Sequence, residues 1–104
     1  MSVQNGTHHR DVLEAVLVHC WESTLRQKPI GVDDNFFALG GHSLAAMRVA
    51  SRLRKSLGVS VDYGMVLEHL TIAALARALR DCGVPASELD RAGRAYMVEH
   101  GLAA

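Results

Sequence analysis

The residues with the clearest chemical potential stand together at Leu39-Gly40-Gly41-His42-Ser43-Leu44. Ser43 offers a hydroxyl, with an imidazole just before it and two glycines ahead of that. Such a hydroxyl can attack a substrate, cap a helix or accept a covalent group. Other polar clusters offer less. Asp33-Asp34-Asn35 has the residue types of a metal site, but three contiguous polar residues more simply make a turn or cap a short helical segment through Phe36-Phe37. His8 and His9 are adjacent and point in different directions, and His9 and His19 lie too far apart on one helix to share an ion. Cys20 and Cys82 lack C-x-x-C spacing and read as small half-buried hydrophobes in a reducing compartment. No metal site is expected.

The elements that position Ser43 follow from the spacing of apolar residues. A chain of 104 residues makes one small domain, and with 49% hydrophobic but only 5% aromatic residues its core must be aliphatic. That favours an all-α fold of helices packed on helices. Residues 1–6 read as a disordered lead-in, and Thr7 as the cap of a first helix reaching about Gln27. Leu13, Leu17, Trp21 and Leu25 form its i, i+4 line. Pro29 ends it, and a long loop runs to His42. Ile30, Val32, Phe36, Phe37 and Leu39 in that loop are expected to be buried, pinning it across the bundle.

Ser43 opens a second helix, with Leu44, Met47, Ala50 and Leu53 (joined by Ala46, Val49 and Leu57) at helical spacing and Gly58 as a left-handed stop. Its other face holds Arg48, Arg52, Arg54 and Lys55 with no acidic residue, either a solvated face or one turned to a partner. Val59-Ser60-Val61 is too short to build a sheet. A short third helix is expected between Asp62 and Leu70. Thr71 should cap a fourth, lined by Ile72, Leu75, Ala76 and Leu79 and stopped near Gly83 and Pro85. The tail, 84–104, is either an appended helix starting at Ser87-Glu88, with Leu89, Ala92 and Tyr96 as its stripe, or an irregular segment.

Composition removes several functions. Lys+Arg and Asp+Glu are both 11, so no general basic field exists for nucleic acid. No apolar run reaches the ~18 residues of a membrane span. The polar start, Met1 to Arg10, lacks a secretion signal, so a cytoplasmic location is expected. The opening Met1 favours a free-standing protein, although an excised domain would look the same.

Three roles compete for Ser43. Gly41-His42-Ser43-Leu44-Ala45 misses the last glycine of a G-x-S-x-G elbow, and no strand or parallel sheet is expected beneath it. His42, adjacent in sequence, is poorly placed to take the serine proton, so catalysis by this chain is not expected. A capping serine in a non-covalent helical adaptor would contribute ~1 kcal/mol, but leaves Gly40 and Gly41 unexplained. Those glycines make sense if something bulky approaches the serine or if positive φ is needed. In a modification site, a phosphate ester on Ser43 would meet the open N–H groups and positive end of the second helix.

The run Asp34-Asn35-Phe36-Phe37-Ala38-Leu39-Gly40-Gly41-His42-Ser43-Leu44 resembles the D-x-F-F-x-L-G-G-[HD]-S-L signature of peptidyl carrier proteins, the thiolation domains of nonribosomal peptide synthetases, and matches it without a gap. The resemblance runs from about Thr7 to Gly83 and includes Trp21 and Thr71; where the family commonly has proline before that threonine, this chain has Leu70. It implies a four-helix carrier bundle over 7–83, with a long first loop, a short third helix and Ser43 bearing a covalent 4′-phosphopantetheine that a phosphopantetheinyl transferase attaches from coenzyme A. The arm would hold an aminoacyl or peptidyl thioester for adenylation, condensation, thioesterase or tailoring enzymes, in secondary metabolism such as antibiotic biosynthesis. It also implies a monomer that meets its partners through His42, Leu44, Met47 and Arg48. Acyl carriers of fatty-acid and polyketide synthesis are the alternative. Their serine usually follows aspartate and their second helix is often acidic, whereas here His42 precedes Ser43 and the second helix is basic.

Overall fold

The computed structural model describes residues 12–102. Over these residues the chain is helical, in the order α1 (Val12–Leu25), α2 (Ser43–Leu57), α3 (Tyr63–Glu68), α4 (Ile72–Arg80) and α5 (Ala86–Glu99), with no strand. The lead-in, the Thr7 cap, His8 and His9 lie outside the described residues.

α1 turns Leu13, Val16, Leu17, Cys20 and Trp21 into the core, while Leu25 is only partly buried. Burial pushes the Cys20 thiol up to about 11, so it behaves as a small hydrophobe. The helix ends at Arg26, whose φ of 58° puts a non-glycine residue in the left-handed region.

The 28–42 loop is pinned as expected, through both side chains and backbone. Ile30 and Phe36 are buried. Ile30 N–H donates to Glu22 Oε2 (2.9 Å), Ala73 N–H to Val32 O (3.0 Å) and Phe36 N–H to Leu70 O (2.8 Å). Leu70 thus supplies a carbonyl that anchors the loop. Phe37 departs from expectation: it is 53% exposed. Neighbouring residues of a tight turn point to different sides, and Phe36 takes the inward one.

α2 buries Ala45, Ala46, Val49, Ala50, Leu53 and Leu57. Leu44 and Met47, placed on the apolar face by spacing alone, are instead 51% and 50% exposed. The inward stripe is made of smaller residues, so helices can approach closely. Gly58 closes the helix at φ 68°, its N–H donating to Arg54 O. Val59 and Val61 are buried without forming a strand. Asp62 caps α3 through Met65 N–H (3.0 Å), and Thr71 caps α4 through Ala74 N–H (3.2 Å). Ile72, Leu75, Ala76 and Leu79 are buried, as their spacing predicts.

The tail forms a fifth helix. It begins at Ala86 behind Pro85, with no capping side chain, so the Ser87-Glu88 start is not used. Leu89, Gly93 and Tyr96 are buried where α5 packs on α1 and α2. Gly93 permits the closest contact: a methyl there would lie 2.7 Å from Val12 Cγ1. Further along, the Tyr96 hydroxyl is 2.7 Å from His19 Nδ1, and the Tyr96 and His100 rings stack at 4.1 Å. Burial, followed by the nearby His100, lowers the His19 pKa, while burial raises Tyr96 to about 12. No helix among the described residues is long and apolar enough to cross a membrane.

Candidate functional site

The site is built from the end of α1 towards Ser43. The buried rings of Trp21 and Phe36 meet edge to face, 4.9 Å apart at 68°. Phe36 begins a tight turn. Asn35 Oδ1 accepts from Phe37 N–H (2.8 Å) and Ala38 N–H (3.2 Å), and Phe36 O accepts from Gly41 N–H (2.9 Å). Asp34 Oδ2 takes Gly31 N–H at 2.7 Å, so two members of the Asp33-Asp34-Asn35 cluster shape turns. Gln27 Nε2 donates to Leu39 O, tying the end of α1 to the same turn.

The two glycines serve the loop itself. Gly40 has φ 91°, a left-handed conformation. At Gly41 a methyl would lie 2.4 Å from Phe36 Cε2 and 2.7 Å from Phe36 O. Gly40 thus meets the positive-φ alternative, and the bulky neighbour that Gly41 accommodates is Phe36.

The capping role is corrected. His42 is the N-cap of α2: its backbone is extended (φ −151°, ψ −179°) and its Nδ1 accepts from Ala45 N–H at 3.4 Å. Ser43 is the first residue inside the helix. Its hydroxyl has no hydrogen-bond partner among the described residues, and the residue is exposed. The Ser43 and Leu44 N–H groups likewise have no acceptor there, and no acidic residue occupies the first turn. A phosphate ester at Ser43 Oγ fits this donor set, with open N–H groups and the positive helix end beside it. His42 Nδ1, engaged by Ala45, is turned to the helix end.

The residues expected to meet partners, His42, Leu44, Met47 and Arg48, are all exposed around this start of α2. The structure adds Phe37, at 53% exposure, which the sequence reading had buried. Its signal was the adjacent aromatic pair, since a tight turn cannot direct both rings inward. Among the described residues, no group of three His, Cys, Asp or Glu side chains is arranged to hold a metal ion.

Residues 15–79 match the family described as phosphopantetheine attachment site. Surfactin synthase subunit 3 of Bacillus subtilis (strain 168) is 42% identical over 74 residues, covering 71% of this chain and 6% of that protein. Tyrocidine synthase 3 of Brevibacillus parabrevis is 52% identical over 67 residues, covering 64% of this chain and 1% of that protein. The chain thus spans only a small fraction of these curated relatives. Among solved structures, BlmI, a type-II acyl-carrier-protein from Streptomyces verticillus involved in bleomycin biosynthesis, superposes with a TM-score of 0.63 at 26% identity, over 75% of this chain and 93% of that one. The PaxA T1-CDD/PaxB NDD complex of the Pax NRPS gives 0.64 at 30% identity, over 75% and 78%. The chain belongs to the phosphopantetheine attachment site family, as a carrier domain of the peptidyl, or thiolation, type whose prosthetic group is covalent 4′-phosphopantetheine.

Proposed function

We propose that Ser43 Oγ is the attachment atom, and that the chain holds an aminoacyl or peptidyl thioester and presents it to enzymes of nonribosomal peptide synthesis. The observation that carries this reading is the division of labour at the start of α2. His42 caps the helix, which leaves the exposed Ser43 hydroxyl and two backbone N–H donors uncommitted. The bound group would supply a thiol at the end of a flexible arm. This chain's part is to fix the arm's root, with Ser43 and Leu44 N–H groups facing the phosphate.

The chain itself is read as non-catalytic. His42 Nδ1 serves the helix cap, and we read attachment as the work of a separate phosphopantetheinyl transferase. We take 7–83 as the carrier domain, with α5 appended to it. Phe37, His42, Leu44, Met47 and Arg48 form the surface offered to the transferase and to adenylation, condensation, thioesterase or tailoring enzymes. A solved relative, the McyG A-PCP complexed with phenylalanyl-adenylate, is 34% identical over 64% of this chain, and its title joins an A to a PCP unit. The free thiols Cys20 and Cys82 suit a reducing, cytoplasmic setting.

Incubation with coenzyme A and a broad-specificity phosphopantetheinyl transferase should raise the intact mass by one phosphopantetheine, and Ser43→Ala should abolish the gain. No gain in the wild type, or an equal gain in Ser43→Ala, overturns the assignment.

A further inference from the structure

α5 is held by two kinds of contact. At its start the seam is apolar: Leu89 is buried, and Gly93 lies against Val12. At its far end the seam is polar and aromatic. The Tyr96 hydroxyl meets His19 Nδ1 at 2.7 Å, and the two rings sit edge to face at 5.5 Å. His100 stacks on Tyr96 at 4.1 Å, and its Nδ1 donates to Tyr96 O at 2.9 Å. The Tyr96–His100 pair lies within one turn and moves with α5. His19 is the group on α1 that holds these last turns by a hydrogen bond.

That bond depends on charge. A neutral imidazole can accept the phenol hydrogen on Nδ1. A protonated one donates from both nitrogens, so its Nδ1–H must point at the phenol oxygen and the phenol hydrogen loses its acceptor. Tyr96 is buried, and its hydroxyl has no other acceptor among the described residues. The surroundings also disfavour a cation at His19. His100 on α5 faces it, ring centre to ring centre, at 5.0 Å, with Arg52 on α2 and Lys28 on the following loop adding positive charge. Glu22 on α1 opposes them, but its Oε2 already accepts from Ile30 N–H. The groups that act on Tyr96 are Cys20, Arg52 and Glu99.

We propose that His19 is a proton-sensitive latch for α5: a neutral imidazole keeps the last turns, 96–102, docked on α1, and a proton on His19 releases them. The apolar contacts at Leu89 and Gly93 remain, so the release is local. Met97 and Leu102 share a groove with Val18, Ile30 and Val32, so release also uncovers those side chains. The lowered His19 pKa agrees in sign. The released form binds the proton more readily than the docked one, so docking weakens as pH falls below 6.5 and is unaffected well above it. The latch concerns α5 and stands whether or not Ser43 carries an arm.

The test is amide hydrogen exchange of the full chain over a pH series that brackets 6.5, read as protection factors so that the chemical exchange rate divides out. It compares the wild type with His19→Gln, and with His69→Gln as a control histidine on the other side of α3. In the wild type, protection of 96–102 should fall severalfold for each pH unit below 6.5, about tenfold being the limit for one proton, while α4 keeps its protection. His69→Gln should follow the wild type. In His19→Gln the protection of 96–102 should no longer depend on pH. A wild type without the fall, the same fall in His19→Gln, or an equal fall in every helix overturns the latch. A second measurement needs no variant: the His19 ring protons, followed by NMR in the wild type, should titrate with a midpoint below 6.5, and a midpoint at or above it also overturns the proposal.

Discussion

At the Ser43 end and along the α1–α5 seam, a glycine lets two segments touch, with opposite results for the surface. Gly41 presses on Phe36, and the obstacle includes the Phe36 carbonyl, a backbone atom that no rotamer change can move aside. The turn so fixed leaves Phe37, His42, Ser43, Leu44 and Met47 facing water. Gly93 presses on the side chain of Val12, and there the contact closes a seam that buries Leu89 and Tyr96. One close approach keeps a surface open, and the other removes one. The contact at the presenting end involves backbone, and the seam depends on side chains that can shift.

Substitutions can break that contrast, the most damaging first. Phe36→Ala empties a fully buried ring site beside Trp21 and should cost about 3–5 kcal/mol in denaturant unfolding. It should also slow arm attachment, because the turn before Ser43 loses its anchor. Gly41→Ala should cost about 1–3 kcal/mol, since the added methyl meets backbone as well as ring. Gly93→Leu overfills the seam by a similar mechanism but should act locally. Amides of α5 should exchange faster while arm attachment at Ser43 proceeds as in the wild type; equal loss of protection across all helices would show that α5 is integral to the core.

A finer pair separates capping from attachment. His42→Ala removes the acceptor for Ala45 N–H and should cost about 1 kcal/mol. Ser43→Ala, at an exposed site that is not the cap, should change stability by no more than about 0.5 kcal/mol. The reverse order would return the cap to the serine.

The smallest effect is set by pH. Burial and His100, aided by Arg52 and Lys28 and opposed by Glu22, lower the His19 pKa from 6.5. The unfolded chain then binds this proton more readily than the folded one. The contribution of His19 is thus complete above pH 6.5 and lost as pH falls through the folded value. Thermal midpoints should decline as pH falls below 6.5, and less steeply in His19→Gln.

Much of this architecture is legible in the sequence because it is local. Leu13, Leu17 and Trp21 face inward as their spacing requires, and Gly58, Thr71 and Asp62 terminate or start helices by short-range rules. The attachment motif is readable for the same reason, being contiguous. What escaped depends on contacts distant in sequence or on direction within a turn. Serine is a stronger capping residue than histidine, so only the observed geometry assigns the cap to His42. The alternation of Phe36 and Phe37 needs the turn's path. The docking of α5 needs Gly93 against Val12 and Tyr96 against His19, 77 residues apart.

The two cysteines differ in a way that bears on how a carried thiol can be counted. Cys20 is fully buried with its thiol held up near 11, so maleimide and disulfide reagents will pass it by while the bundle is folded. Cys82 is only partly covered, its S–H resting on Leu79 O. Labelling of the folded protein should therefore show a single background thiol. Replacing Cys82 with alanine would leave the arm's sulfur as the reactive one, making thiol labelling a direct gauge of how much of the protein is armed.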